Sequence, residues 1–316
     1  RRSLQDAMDR HGTRLRLRRG DVRDVTTSDF TGIDAVVDLA GISNDPSCEL
    51  DPKLTEQVNR DAAVLVARTA AKAGVGRLVF ASSCSVYGHG ESESLTETSP
   101  LNPVSLYARC KAQAEEQLRG VAEQTGLGVT VLRFATLFGV SGRTRFDVAI
   151  NVMTKNAYVA RTITVEGGGR QWRPFVHVQD AARGIHRVLD AERSQVDGKT
   201  YNVGSDANNL RILNLAFRVR DRVPGTEIVM APTDPDRRDY NVAFTCIRDE
   251  LGFEPTLSID DGIREVYEAL RDGRIDPDDR RCYTLRQYAF LVEVEQTYRQ
   301  LALDGHILTH DHGGPT

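Results

Sequence analysis

The sequence predicts an α/β fold on a parallel sheet, and three observations predict it. Apolar, β-branched runs of strand length occur at 33–40 (IDAVVDLA), 77–81 (RLVFA) and 129–134 (VTVLRF); near-continuous runs of this kind are buried parallel strands. Helical stretches at 54–73 and from Ser105 to Gln124 lie between them, so strands and helices alternate. The second run discharges into Ser82, Ser83 and Ser85, at the strand end where open α/β sheets bind ligands.

Bulk properties narrow the function. The 316 residues suffice for one large domain and a smaller lobe, and a net charge of -4 argues against nucleic acid as a partner. The cysteines at 48, 84, 110, 246 and 282 are odd in number and form no C-x-x-C pair. That usage fits a reducing cytoplasm better than a disulfide framework or a zinc site. No apolar run approaches a membrane span, and Arg1-Arg2-Ser3 opens no signal sequence.

In chain order, Leu15 and Leu17 alternate with arginines and predict a short strand ending at Asp21, before Val22. The strand at 33–40 ends in Leu39-Ala40-Gly41, small residues that let a backbone approach a ligand closely. The helix at 54–73 carries Asn59 and stops at Gly74. After the strand at 77–81 and a Pro- and Ser-rich loop, the helix from Ser105 places Tyr107 and Lys111 four residues apart, on one face. A phenol near pKa 10 is a poor base at neutral pH. A cation held beside it lowers that pKa, and a Ser hydroxyl orients the substrate oxygen. Ser83, Tyr107 and Lys111 can therefore take a proton from an alcohol while hydride leaves the same carbon. Beyond the strand at 129–134, the segment from Phe146 reads as helical. A strand, three glycines and Arg173-Pro174-Phe175-Val176-His177 then occupy 161–180, and an amphipathic helix spans Tyr283 to Leu303.

Ser82-Ser83, Val86-Tyr87-Gly88 and Tyr107-x-x-x-Lys111 resemble the active-site segment of the extended short-chain dehydrogenase/reductases, the nucleotide-sugar epimerase/dehydratase family. The resemblance runs from about Leu15 to Gly273. It implies a Rossmann-type doubly wound parallel sheet with a smaller C-terminal α+β substrate lobe. The implied division is 1–145 plus 172–190 for the dinucleotide domain, 146–171 and 191–275 for the lobe, and 276–316 for a helix and tail. It assigns catalysis to Ser83, Tyr107 and Lys111, and the cofactor to these last two with Asp21, Val22, Leu39, Ala40, Gly41, Asn59 and Ala81. Ser83, Thr136, Asn151, Arg173 and Arg238 would hold the substrate. Thr136 stands where sugar epimerases often have Asn, and Ser43 where some carry Lys. His177 and Asp180 are packing and capping residues in relatives, and His306, His310 and His312 are read as tail rather than metal ligands.

The implied cofactor is NAD, with NADP the alternative, and the implied partners are a nucleotide-diphosphate sugar and a second copy of the chain, paired through the helices at 54–73 and 105–124. The family's Gly-rich turn after its first strand is not found: Gly74-Val75-Gly76 lies between helix and strand, and Gly167-Gly168-Gly169 comes far along the chain. The expectation is a chain lacking the first βαβ portion, with an unpaired edge on the strand at 33–40 and no dinucleotide binding by this polypeptide alone. Dehydratases of the family carry Asp-Glu after the catalytic Thr, where Cys84 and Ser85 stand here. That leaves 4-epimerisation of a nucleotide hexose, 4-ketoreduction with NAD(P)H, or a non-catalytic dinucleotide-binding scaffold.

Overall fold

A computed structural model of the chain describes residues 2–89, 94–232 and 238–302. The strands are β1 (Ala35–Asp38), β2 (Arg77–Ser83), β3 (Gly128–Phe134), β4 (Thr136–Phe138), β5 (Thr162–Glu166), β6 (Trp172–His177), β7 (Thr200–Val203), β8 (Asn209–Arg211) and β9 (Glu227–Ala231). The helices are α1 (Arg2–His11), α2 (Asp45–Cys48), α3 (Pro52–Glu56), α4 (Ala62–Lys72), α5 (Leu106–Thr125), α6 (Ala149–Ala160), α7 (Val178–Asp190), α8 (Arg193–Val196), α9 (Ile212–Arg222), α10 (Thr245–Leu251), α11 (Ile259–Arg271) and α12 (Thr284–Leu301).

The main sheet has the order β1-β2-β3-β7, all parallel. Because side chains alternate along a strand, Leu78, Phe80, Val129 and Val131 face α4 and α5, where they meet Ala67, Ala70, Ala114 and Leu118. Val79, Leu132, Phe134 and Tyr201 face the other way, toward Ala181 and Val188 of α7 and Ile247 of α10. Helices on both faces make the sheet doubly wound, as expected. Each large aliphatic side chain buried in these layers contributes about 1.5–3 kcal/mol. A second core gathers α6, α9, α11, β5 and Phe175 into the smaller lobe, beside the pairs β5–β9 and β4-β6-β8. The segment 191–275 does not all belong to the smaller lobe: Val196 of α8 and Ile247 and Leu251 of α10 pack in the core of the main sheet. Thr200–Val203 extends the main sheet by pairing with 131–134, because its buried Tyr201 and Val203 belong to that core.

Two sequence-based elements change. The segment 15–21 forms no strand: no described strand lies on the free side of β1, so the alternating leucines have nothing to pair with. The helix at 54–73 forms but is interrupted by a π-turn at Gln57–Asp61, a distortion concentrated at functional sites. Asn59 sits in this turn, its fully buried amide accepting from Ile42 N at 2.7 Å and donating to Ile42 O at 2.8 Å.

Helix α5 starts where expected, with the Ser105 hydroxyl capping Ala108 N at 3.2 Å, and stops at left-handed Gly126. At the turn after β2, Gly88 has φ +62°, and an added Cβ would stand 1.8 Å from Asn102 O. Gly88→Ala is expected to cost roughly 2–5 kcal/mol, the sum of left-handed strain and overpacking. Thermal unfolding tests it, and an unchanged midpoint would show that the loop at 102 yields freely.

The cysteines are free thiols, and Cys48, Cys84, Cys110 and Cys282 are buried. Among the described residues no three His, Cys, Asp or Glu side chains form a metal-binding group, and no helix is long and apolar enough to cross a membrane. His306, His310 and His312 lie outside the described residues.

Candidate active site

A cavity of about 810 Å³ opens at the carboxyl ends of β1, β2 and β3 and runs toward the smaller lobe. Leu39, Ala40 and Gly41 line it from the first strand, Ala81 and Ser83 from the second, and Tyr107 and Lys111 from α5. Thr136, Arg173 and Arg238 line its other side. Ten of the sequence-derived site residues are thus brought together by the strand ends, as the topological rule requires.

Four are not. Asn59 stands behind the cavity and clamps Ile42, and through it the Gly41 corner: a Cβ on Gly41 would lie 3.2 Å from Asn59 Oδ1. Asp21 and Val22 do not line the cavity. The Asp21 carboxylate is spent on Arg23, accepting from its guanidinium and its backbone N–H, which holds its pKa down at about 2. Asn151 is a correction in position: it is buried, accepts from Gly139 N at 3.1 Å and donates to Arg145 O at 2.9 Å. Its amide ties the 139–145 loop to α6, so it shapes the cavity without lining it.

Lys111 is 4% exposed, its ammonium donating to Ala81 O at 2.8 Å and lying 4.5 Å from the Phe80 ring centroid. Burial pushes its pKa down, and Asp38 is the first charge that pulls it back. Tyr107 does not have the lowered pKa the sequence argument gives it. Burial pushes it up to about 12, and the charge that most opposes this is Arg145, with the Ser83 hydroxyl also drawing it down. The phenol is therefore a proton donor as it stands, and its use as a base needs further positive charge.

The sequence reading missed the ion pairs that flank the cavity. Arg145 pairs with Asp147 at 3.0 Å, and Asp147 accepts from the Asn44 amide at 2.7 Å. Arg238 pairs with Asp45 at 3.1 Å. Arg173, 5% exposed, donates to the Trp172 and Arg238 carbonyls and lies over the Tyr240 ring. Asn44 holds φ +87°, unusual for a residue with a side chain, while capping α2. That conformation has no sequence signal beyond an Asn before Asp-Pro.

The positions after Ser83 separate in the structure. Cys84 is 1% exposed, turned into the core with its thiol donating to Arg133 O at 3.2 Å, and burial pushes its pKa well up. Ser85 lines the cavity. His177 accepts from Gln179 N as the cap of α7 and shares a 2.8 Å contact with Glu265, and Asp180 accepts from Thr256 N and Leu257 N. Both have the packing and capping roles expected of them.

The NAD dependent epimerase/dehydratase family profile matches residues 1–204. A dTDP-glucose 4,6-dehydratase of Streptomyces griseus is 31% identical over 254 residues, covering 79% of this chain and 76% of that protein. A UDP-glucuronate 4-epimerase of Thermodesulfobacterium geofontis is 28% identical over 204 residues, 63% of this chain and 61% of that protein. Among solved structures, a dTDP-glucose 4,6-dehydratase from Streptomyces venezuelae with NAD bound superposes with a TM-score of 0.76 at 28% identity, covering 88% of this chain and 86% of that one.

Proposed function

The chain belongs to the NAD-dependent epimerase/dehydratase family, and from that premise we propose that it is a nucleotide-sugar epimerase inverting C4 of an NDP-hexose. The observation that carries this reading is the position of Cys84. Elimination of water in relatives of the dehydratase type needs an acid and a base directly after the catalytic hydroxyl. Here the first of these places is a thiol sealed in the core, and the second, Ser85, has a hydroxyl in place of a carboxylate. Of the other carboxylates that line the cavity, Asp45 and Asp147 are engaged by Arg238 and Arg145, and Glu166 stands on β5 of the smaller lobe. What remains at the strand ends is Ser83, Tyr107 and Lys111, a set that moves one proton on and off one oxygen.

The residues present fit the nicotinamide end of NAD. The Leu39-Ala40-Gly41 corner lines the cavity, and Lys111 and Tyr107 line it from one face of α5. Among the described residues no strand leads through a glycine-rich turn into a helix N-terminus, the usual seat of the pyrophosphate. Bound NAD would supply the hydride acceptor and donor for C4, inversion requiring the 4-keto sugar to turn its other face in the cavity. Ser83 orients O4, Tyr107 takes the O4 proton and later gives it back, and Lys111, seated on the Ala81 carbonyl, supplies a fixed positive charge to the site. Arg173 and Arg238 hold the diphosphate, a task suited to guanidinium forks. Arg238 exchanges its Asp45 partner for the ligand. The protein pairs with a second copy through α4 and α5, and a monomeric mass in sedimentation would count against that.

The test is to purify the protein, record absorbance for bound dinucleotide, and follow UDP-glucose and UDP-glucuronate by NMR without added reductant. Inversion at C4 is the expected result; it would also overturn the sequence expectation that this polypeptide alone binds no dinucleotide. Bound cofactor with no turnover, together with NADPH consumption on a 4-keto sugar nucleotide, would replace the epimerase by a ketoreductase using the same three residues once. A 4-keto-6-deoxy product would overturn the reading altogether.

A further inference from the structure

Lys111 has an acidic neighbour that its sequence motif does not include. Its ammonium is 4% exposed and fixed by one neutral acceptor, the Ala81 carbonyl, and a buried charge without a compensating partner is costly. Asp38 ends β1 and is 6% exposed. In the sheet register Asp38 is the partner of Phe80, the residue whose ring lies under the ammonium and which precedes Ala81. On the same turn of chain, an ideal Cβ on Gly41 would lie 3.7 Å from Lys111 Nζ. The carboxylate itself accepts from Ala40 N at 3.0 Å, which turns the Leu39-Ala40-Gly41 corner over the lysine. β1 thus delivers a carboxylate and a close-packed glycine corner to the same buried ammonium.

We propose that Asp38 is a positioning residue for the reaction, the buried counter-ion that keeps Lys111 charged and seated against Ala81 while holding the corner that faces the cavity. The assignment deepens the proposed function and rests on Lys111 acting there as a cation. The other ionisable groups that act on Lys111 are Glu115 and Cys110 on α5 and Cys48 on α2. Lys111 is in turn the charge that acts on Asp38, opposing the rise that burial imposes on its carboxyl. Each group therefore favours the charged form of the other.

The direction of the effect follows from the sign of that coupling. Removing the carboxylate takes away a charge that favours protonated Lys111, so the lysine loses its proton at lower pH. In Asp38→Asn the alkaline limb of the kcat profile is expected to move about one unit toward lower pH, the lower end of the usual effect of an opposite charge. An alkaline limb where the unsubstituted enzyme has it, in an Asp38→Asn protein with an unchanged unfolding midpoint, overturns the proposal. A second measurement needs no turnover and so survives failure of the epimerase reading. Urea midpoints are compared for Asp38→Asn, Lys111→Met and the double variant. Lys111→Met strands a buried carboxylate, so the double variant is expected to be more stable than Lys111→Met alone. It should fold even if Asp38→Asn does not. Additive losses would show two independent buried groups and sink the pairing.

Discussion

Tyr107→Phe is expected to lower C4 inversion by about 10²–10⁴-fold, the range for loss of a positioned proton-transfer group, with the fold and the KM for sugar nucleotide little changed. The replacement keeps the ring and removes one oxygen. Its partners in the cavity, Ser83 and the charge of Arg145, act on that oxygen alone. The phenol is half-buried, and burial pushes its pKa up to about 12. At neutral pH it therefore carries its proton, and any phenolate character must be induced by charge brought near it. Substrate decay in single-turnover mixtures, followed by NMR, checks the size of the effect. A variant that retains a tenth of the activity would show that a solvent molecule or another side chain carries the proton.

Glu115→Ala is expected to destabilise the chain by about 3–5 kcal/mol, the usual cost of breaking a buried ion pair from one side. Glu115 is 1% exposed and Arg133 2%. Arg133 Nη2 donates to Glu115 Oε2 at 2.6 Å and Arg133 Nε to Oε1 at 3.1 Å, while Ser82 donates to the same carboxylate. The guanidinium continues to the Tyr87 hydroxyl at 2.9 Å, and that hydroxyl donates to Asn202 Oδ1 at 2.8 Å. One network thus joins α5, β2, β3 and β7 directly beneath the serines. Truncating the glutamate leaves a guanidinium in the core with half its donors unmet. Urea denaturation measures the loss, and Glu115→Leu combined with Arg133→Met should recover most of it, since an apolar pair of similar volume removes the stranded charge. A double variant no better than Glu115→Ala would place the cost in packing instead of charge.

Much of this molecule was legible from local pattern. The strands at 77–83 and 128–134 are long, apolar and covered on both faces, so the residues alone carry the assignment. The Tyr107–Lys111 pair needed only helical spacing. The segment 15–21 misled because a strand exists only against a neighbour, and alternation cannot say whether one is present. Lys111 misled in a different way: helical spacing puts its ammonium and the phenol on one face, but the ammonium turns to the Ala81 carbonyl, and burial dominates the phenol. Asn151 carried the right residue type at the right place, yet its amide is consumed by backbone at Gly139 and Arg145. Asp45, Arg145 and Asp147 were invisible because their pairings join segments far apart in sequence or hang on a strained Asn44.

The sealed thiols give the protein a built-in chemical clock. The thiolate is the form that alkylating reagents attack, and buried cysteines are inert to them. Cys48 is fully shielded, with burial pushing its pKa up to about 12, and Cys84 and Cys110 are nearly as enclosed. Cys246, partly open, will react first. The slower modifications require three different openings: Cys48 and Cys110 release of α2 from α5, Cys84 exposure of the layer beneath the serines, and Cys282 its parting from Phe146 and from Val266 and Leu270 of α11. Mass-resolved labelling over time would therefore rank these regions by opening free energy in native buffer, without denaturant and without knowing the substrate.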